Sequence, residues 1–166
     1  MKKCVFIFLL TFFVFAGCST KSSYIPTPDA VKIEPGAKFS VGEITDNSGF
    51  KFPPGETETV DLKTAMADAL RKALLAKGIY EEGQWVVTVQ ILEYSPGNAF
   101  ARWLLPGAGA TKLKVVAHVL SQDGTRSAQI PVERFIGFGG AYTVGAWKYV
   151  FDEVALEMVN VLSSSR

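Results

Sequence analysis

Few side chains in this chain could do chemistry, and their spacing keeps most of them apart. The only histidine is His118. A general base or a metal ligand needs partners that converge on it, and no second histidine exists to join it. Its place on the polar side of an alternating segment predicts a solvated strand residue. Glu81-Glu82 and Asp152-Glu153 are adjacent carboxylates, the pairing that acid/base catalysis uses. Neighbours in sequence on a loop or helix point in different directions, however, so solvated surface is the simpler reading. Ser163-Ser164-Ser165 forms a polar tail, and no G-x-S-x-G elbow precedes a helix. Gly137-Phe138-Gly139-Gly140 precedes a helical pattern and could in principle cradle phosphate through its backbone. A G-x-G-x-x-G run would need glycine where Tyr142 stands, and no Lys-Ser/Thr pair follows, so close packing of strand against helix is expected instead. No catalytic residue, metal or cofactor is expected.

Those residues must be positioned by a single domain. The chain has 166 residues, with 17 Lys+Arg against 16 Asp+Glu and 48% hydrophobic residues. That is enough for one real core, and the near-neutral charge gives no support for nucleic-acid or polybasic membrane binding. Both cysteines, Cys4 and Cys18, lie at the N-terminus, so the body of the chain offers no thiol for a disulfide, a zinc site or a nucleophile.

Residues 38–45 alternate with Phe39 and Val41 on one side and predict a strand. Asp46-Asn47-Ser48-Gly49 and Pro53-Pro54-Gly55 are turn chemistry. Residues 61–77 place Leu62, Met66, Ala69, Leu70, Ala73 and Leu74 on one helical stripe, with Thr59 or Asp61 as cap and Gly78 as stop. Strands are predicted over 85–94 (Trp85, Val87, Val89 and Ile91 inward) and 111–121 (Leu113, Val115, Ala117 and Val119 inward; Lys112, Lys114 and His118 outward). Asp123-Gly124 then signals a hairpin into a strand over 126–138, where Pro131 argues for an edge or a bulge. Trp147, Val150, Phe151, Val154, Met158 and Leu162 recur at helical spacing over 143–163. The order β-α-β-β-β-α implies an α/β (α+β) fold: a two-layer sandwich with a mostly antiparallel sheet of about four strands and two helices on one face.

The N-terminus has an address rather than a fold. Lys2 and Lys3 precede an apolar run from position 5 to 15, too short to span a bilayer comfortably. Phe15-Ala16-Gly17-Cys18 then resembles the lipobox of bacterial lipoprotein precursors. The resemblance implies that residues 1–17 are a signal peptide and that Cys18 becomes the mature N-terminus, thioether-linked to diacylglycerol and N-acylated. Ser19 follows, where enteric lipoproteins kept at the inner membrane carry Asp, so the resemblance implies an outer-membrane protein with its domain facing the periplasm. Acyl burial contributes about 0.8 kcal/mol per CH₂, and two or more chains hold where one is marginal. Residues 18–37, rich in Ser and Pro, read as the lipidated cysteine and an extended tether, leaving 38–166 as the globular domain.

Pro96-Gly97-Asn98, Arg102-Trp103-Leu104, Gly107-Ala108-Gly109-Ala110 and Lys112-Leu113-Lys114-Val115, with the glycines at 137, 139 and 140, resemble a family of bacterial lipoproteins whose domain is catalogued as one of unknown function. The resemblance covers about residues 70–162. It implies an envelope lipoprotein and supplies no catalytic residues.

One segment resists a bland reading. Phe100-Ala101-Arg102-Trp103-Leu104-Leu105-Pro106-Gly107 puts large apolar residues in a connection, where polar ones are usual. The expectation is a lid folded back over the sheet. The alternative is an exposed patch in which Arg102, Trp103, Leu104 and Leu105 anchor a partner, since Arg and Trp dominate interface hot spots. The function expected is therefore a non-enzymatic accessory lipoprotein that binds an envelope protein. A small-ligand or glycan binder using Trp85, Trp103, Tyr142 and Trp147 is the alternative.

Cys18→Ala is expected to block lipidation and leave uncut precursor at the inner membrane, because acylation of that sulfur is what licenses cleavage. Membrane fractionation and intact mass read the outcome. A variant that matures and fractionates like wild type would show the lipoprotein reading to be wrong.

Overall fold

The computed structural model describes residues 19–28, 31–54, 59–83, 85–105, 108–137 and 145–165. The leader, Cys18, Gly139, Gly140 and Tyr142 lie outside them.

Alternation builds the sheet. On β5 (Thr111–Ser121) the side chains of Leu113, Val115, Ala117 and Val119 are fully buried. β4 (Trp85–Ser95) sets Val87, Val89 and Ile91 antiparallel to Val119, Ala117 and Val115. β6 (Arg126–Ile136) sets Ala128, Ile130 and Val132 against the same three from the other side. The β5–β6 turn is closed by Ser121 N–H donating to Thr125 O (2.9 Å) around Gly124, whose φ of 83° suits glycine. β3 (Phe39–Asp46) lies parallel to β4, because the chain returns through the crossover helix α1 (Leu62–Ala76).

Asp61 caps α1, accepting from Thr64 N–H at 2.7 Å, and Gly78 follows its end at φ 66°. Its buried stripe is Leu62, Met66, Ala69, Leu70, Ala73 and Leu74. A short helix, α2 (Ala99–Leu104), stands in the β4–β5 connection. The last helix, α3 (Ala146–Ser164), buries Val150, Phe151, Val154, Ala155, Met158, Val159 and Leu162. The stripes of α1 and α3 form one core with the inner sheet face.

The fold is thus mixed α+β, and it departs from the expected four-strand sheet and β-α-β-β-β-α order. Among the described residues the sheet has six strands, with β3 and β4 parallel, and the helices number three. The added strands come from the segment expected to be a tether. β1 (Ser19–Ser22) and β2 (Ile25–Pro26) pair antiparallel with the edge of β6, and Ile33 and Ala37 join the core. Composition misses this because a ladder is made by backbone groups, which Ser and Thr supply as well as Val does. Pro131 explains the gap between β1 and β2. Their pairing reaches Val132 and resumes at Gln129, so the outer ladder breaks where proline has no N–H to give.

His118 also departs from expectation, being only 7% exposed. It lies between Thr88 and Gln129 on the outer sheet face, where cross-strand neighbours cover it. Its Nδ1 is buried without a hydrogen-bond partner. Burial first, and the charge of Arg126 second, hold its pKa below the ordinary value of 6.5.

Leu70→Ala is expected to cost about 2–4 kcal/mol in urea melts, as buried large-to-small changes do. Lys72→Ala should cost under about 1 kcal/mol, since Lys72 is exposed and its ion pair is with the exposed Asp152, at 3.1 Å. Equal costs would contradict the register of α1.

A second expectation concerns pH. The unfolded chain protonates His118 at a higher pH than the folded one does. The stability that the neutral imidazole contributes is therefore full above about pH 6.5 and is lost as pH falls through the depressed folded pKa. His118→Gln should flatten the fall in stability between about pH 7.5 and pH 5. Identical slopes for variant and wild type would show that the imidazole titrates in the folded protein as it does in the unfolded chain.

Candidate functional site

The apolar connection between β4 and β5 is built on a clasp of glycines. Gly97 (φ 68°) and Gly109 (φ 61°) lie where a Cβ would collide with the opposite strand of the connection: Gly97 with the Gly109 and Ala110 backbone, Gly109 with Asn98 O and Ala101 Cβ. Asn98 N–H donates to Gly109 O at 2.8 Å, and Thr111 Oγ1 donates to Pro96 O at 2.7 Å. Asn98 then caps α2, its Oδ1 accepting from Ala101 N–H at 3.0 Å. Leu105 N–H closes the helix onto Ala101 O at 3.0 Å. A six-residue helix has little stability of its own. Here the clasp below it and the cap at its start hold it in place.

What the clasp holds is water-facing and apolar. Phe100 is 67% exposed, Trp103 67%, Leu104 54% and Leu105 66%. Phe100 and Trp103, three residues apart on α2, approach each other with ring centroids 6.0 Å apart. The expected lid over the sheet is therefore not formed. Tyr94 and Phe151 pack on each other within the core, whereas Phe100, Trp103 and Leu104 of α2 face water. Of the residues singled out in sequence, Trp103, Leu104 and Leu105 form this exposed surface, and Arg102 belongs to the same helix. Phe100 joins them, and its i, i+3 spacing to Trp103 was the available signal.

The other candidates are not brought together. Asp152 pairs with Lys72 of α1 at 3.1 Å, whereas Glu153 pairs with Arg134 of β6 at 2.7 Å, so the two carboxylates serve opposite sides of α3. Glu81 and Glu82 are exposed at the far end of the sheet. The hydroxyls of Ser163, Ser164 and Ser165 donate back to Val159 O, Asn160 O and Val161 O, the usual fate of serine in a last helical turn. A Cβ at Gly137 would meet the Phe135 ring, which is close packing. Among the described residues no group of His, Cys, Asp and Glu could hold a metal ion.

The tryptophans also separate. Trp147 lies beside Phe52, with centroids 6.1 Å apart. Its carbonyl accepts from the Tyr94 hydroxyl at 2.8 Å, and burial raises the pKa of that phenol. Trp85 opens the strand that Tyr94 nearly closes, roughly 30 Å away at about 3.3 Å per residue. Trp85 and Trp147 thus stand at opposite ends of the sheet.

The fold is similar to that of the PelC dodecamer from Paraburkholderia phytofirmans, at 15% identity over 88% of this chain and 95% of that one, with a TM-score of 0.55. A leucine-to-methionine variant of PelC gives the same values. Protein XCC0632 from Xanthomonas campestris aligns at 13% identity over 84% of this chain and 91% of that one, with a TM-score of 0.49. No curated protein matches the chain in sequence. The family described as Domain of unknown function (DUF4410) matches residues 53–140, which takes in the clasp, α2 and the glycines at 137, 139 and 140. The match starts earlier than the expected residue 70 and stops short of 162. Covering more than half of the sequence, it shows that the chain belongs to the DUF4410 family.

Proposed function

We propose that this protein is an envelope lipoprotein, anchored in the outer membrane through acyl chains on Cys18, that works as a non-enzymatic accessory module by docking onto another component of the envelope. The observation that carries the reading is the exposure of Phe100, Trp103, Leu104 and Leu105 on a helix clasped in place. Contiguous apolar surface of this kind marks an interaction site, and a pre-ordered helix docks with little further entropy loss. The docking component is one that presents an apolar surface. Phe15-Ala16-Gly17-Cys18 supports the anchor, and no helix among the described residues is long and apolar enough to cross a membrane. The dodecamer of PelC supports a fold that works through its surfaces. A glycan site shared by the tryptophans has less support, because Trp85 and Trp147 lie at opposite ends of the sheet.

Arg102→Ala combined with Trp103→Ala tests the docking role. The variant should melt within about 0.5 kcal/mol of wild type, the usual range for surface changes. It should also lose the neighbours that a photoactivatable crosslinker at Leu105 captures in wild-type cells. A loss of about 3–5 kcal/mol would mean that Trp103 is core after all. Unchanged stability with unchanged neighbours would defeat the docking role.

A further inference from the structure

The register of the sheet places the start of the described chain beside the exposed cluster. Ser19 of β1 lies opposite Phe135 of β6, Phe135 opposite Lys112 of β5, and Lys112 opposite Ser95 of β4. These four residues make one row across the sheet. Three strand spacings of about 4.8 Å put Ser19 and Ser95 roughly 14 Å apart. β1 runs from Ser19 toward the partner of Val132, so the chain enters the sheet at this end. Cys18 is one peptide unit from Ser19, about 3.8 Å between Cα atoms. From Ser95 the chain passes through Pro96 and Gly97 directly into α2. Phe50, Phe52, Tyr94 and Trp147 pack together at the same end. The opposite end is different in kind: the turn at Gln122, Asp123 and Gly124 and the pair Glu81 and Glu82 are exposed and polar, with Arg126 and Lys77 exposed near them.

We infer that Phe100, Trp103, Leu104 and Leu105 insert into the membrane leaflet that holds the acyl chains of Cys18, so that the domain docks end-on and is oriented by the bilayer. The inference rests on the lipoprotein reading and names what the cluster meets. An acyl anchor on Cys18 brings hydrocarbon to the same end of the sheet as α2, about three strand spacings from Ser95. Because Ser19 is already paired in the sheet, there is no slack to hold the domain away from the surface. Four large apolar side chains on a short, clasped helix suit the headgroup–acyl boundary, where tryptophan is enriched and amphipathic elements bury their apolar face by about 5–10 Å.

The test uses the full chain, expressed with its leader, purified after processing and reconstituted into vesicles of phosphatidylethanolamine and phosphatidylglycerol. With Cys4 removed with the leader and Cys18 in thioether linkage, an added cysteine is the single free thiol. Spin labels are placed at Leu104→Cys and, as a control at the other end, at Gln122→Cys. The expected result is that the Leu104 label is relaxed by molecular oxygen but loses broadening by a water-soluble nickel chelate, while the Gln122 label is broadened by the chelate. If intact mass shows acylation and both labels meet the chelate alike, the inference is overturned and the lipoprotein reading stands. A Leu104 label shielded from both oxygen and nickel would place the cluster against a second copy of the chain, which also overturns it. Absence of acyl mass on the processed protein would remove the lipoprotein reading and this inference with it.

Discussion

The register of β5 between β4 and β6 is the constraint on which the rest depends. Leu113, Val115, Ala117 and Val119 are all fully buried, and a slip of one residue would turn all four to the outer face and bring Lys112, Lys114 and His118 inward. With that register set, Thr111 falls beside Pro96, and the connection between β4 and β5 must close with Gly97 against Gly109. No other residue type fits there, since both glycines are at positive φ and in backbone contact. The position of α2 is thus a consequence of core packing several residues away. The register of β6 likewise decides where β1 can pair, and so where the chain enters the sheet.

Local rules made most of these elements legible. Strict alternation gave β5 its bounds, the 3.6-residue stripe located α1 and α3, Asp61 and Gly78 marked the ends of α1, and Asp123-Gly124 marked the hairpin. What local rules miss is pairing that no side chain announces. β1 and β2 are polar or proline-bearing, yet the open edge of β6 offers backbone donors and acceptors that they satisfy. The parallel contact between β3 and β4 depends on the crossover through α1, a non-local fact. His118 occupies the polar phase of β5 as its spacing predicts, but being on the polar phase does not make a side chain wet when Thr88 and Gln129 flank it.

Several charged side chains join elements of the fold. Glu153 ties α3 to β6 through Arg134, Asp152 ties α3 to α1 through Lys72, and Glu93 with Glu133 brackets Lys112 across three strands. Such exposed or half-exposed pairs contribute little each. Their effect is to fix orientation, and α3 in particular is pinned on two sides while its apolar stripe packs inward. The candidate site was legible as an anomaly of composition, large apolar residues in a connection, but its form was not. Whether Trp103 turned in or out is decided by contacts distant in sequence, which spacing along the connection does not encode.

Holding hydrocarbon in water is unfavourable, so a clasp that does so calls for a physical reason. A longer or looser connection would let Trp103 and its neighbours fold onto the sheet edge and bury part of their area, at about 25 cal/mol per Å². The Gly97–Gly109 contact, the Thr111–Pro96 hydrogen bond and the Asn98 cap all work against that collapse. They give up apolar burial within the domain and keep the helix ordered and outward. That arrangement is stable in function only if another apolar phase completes it. The strand that leads back to Cys18 reaches the sheet in the same row, so the nearest such phase is the one in which an acyl anchor would already lie.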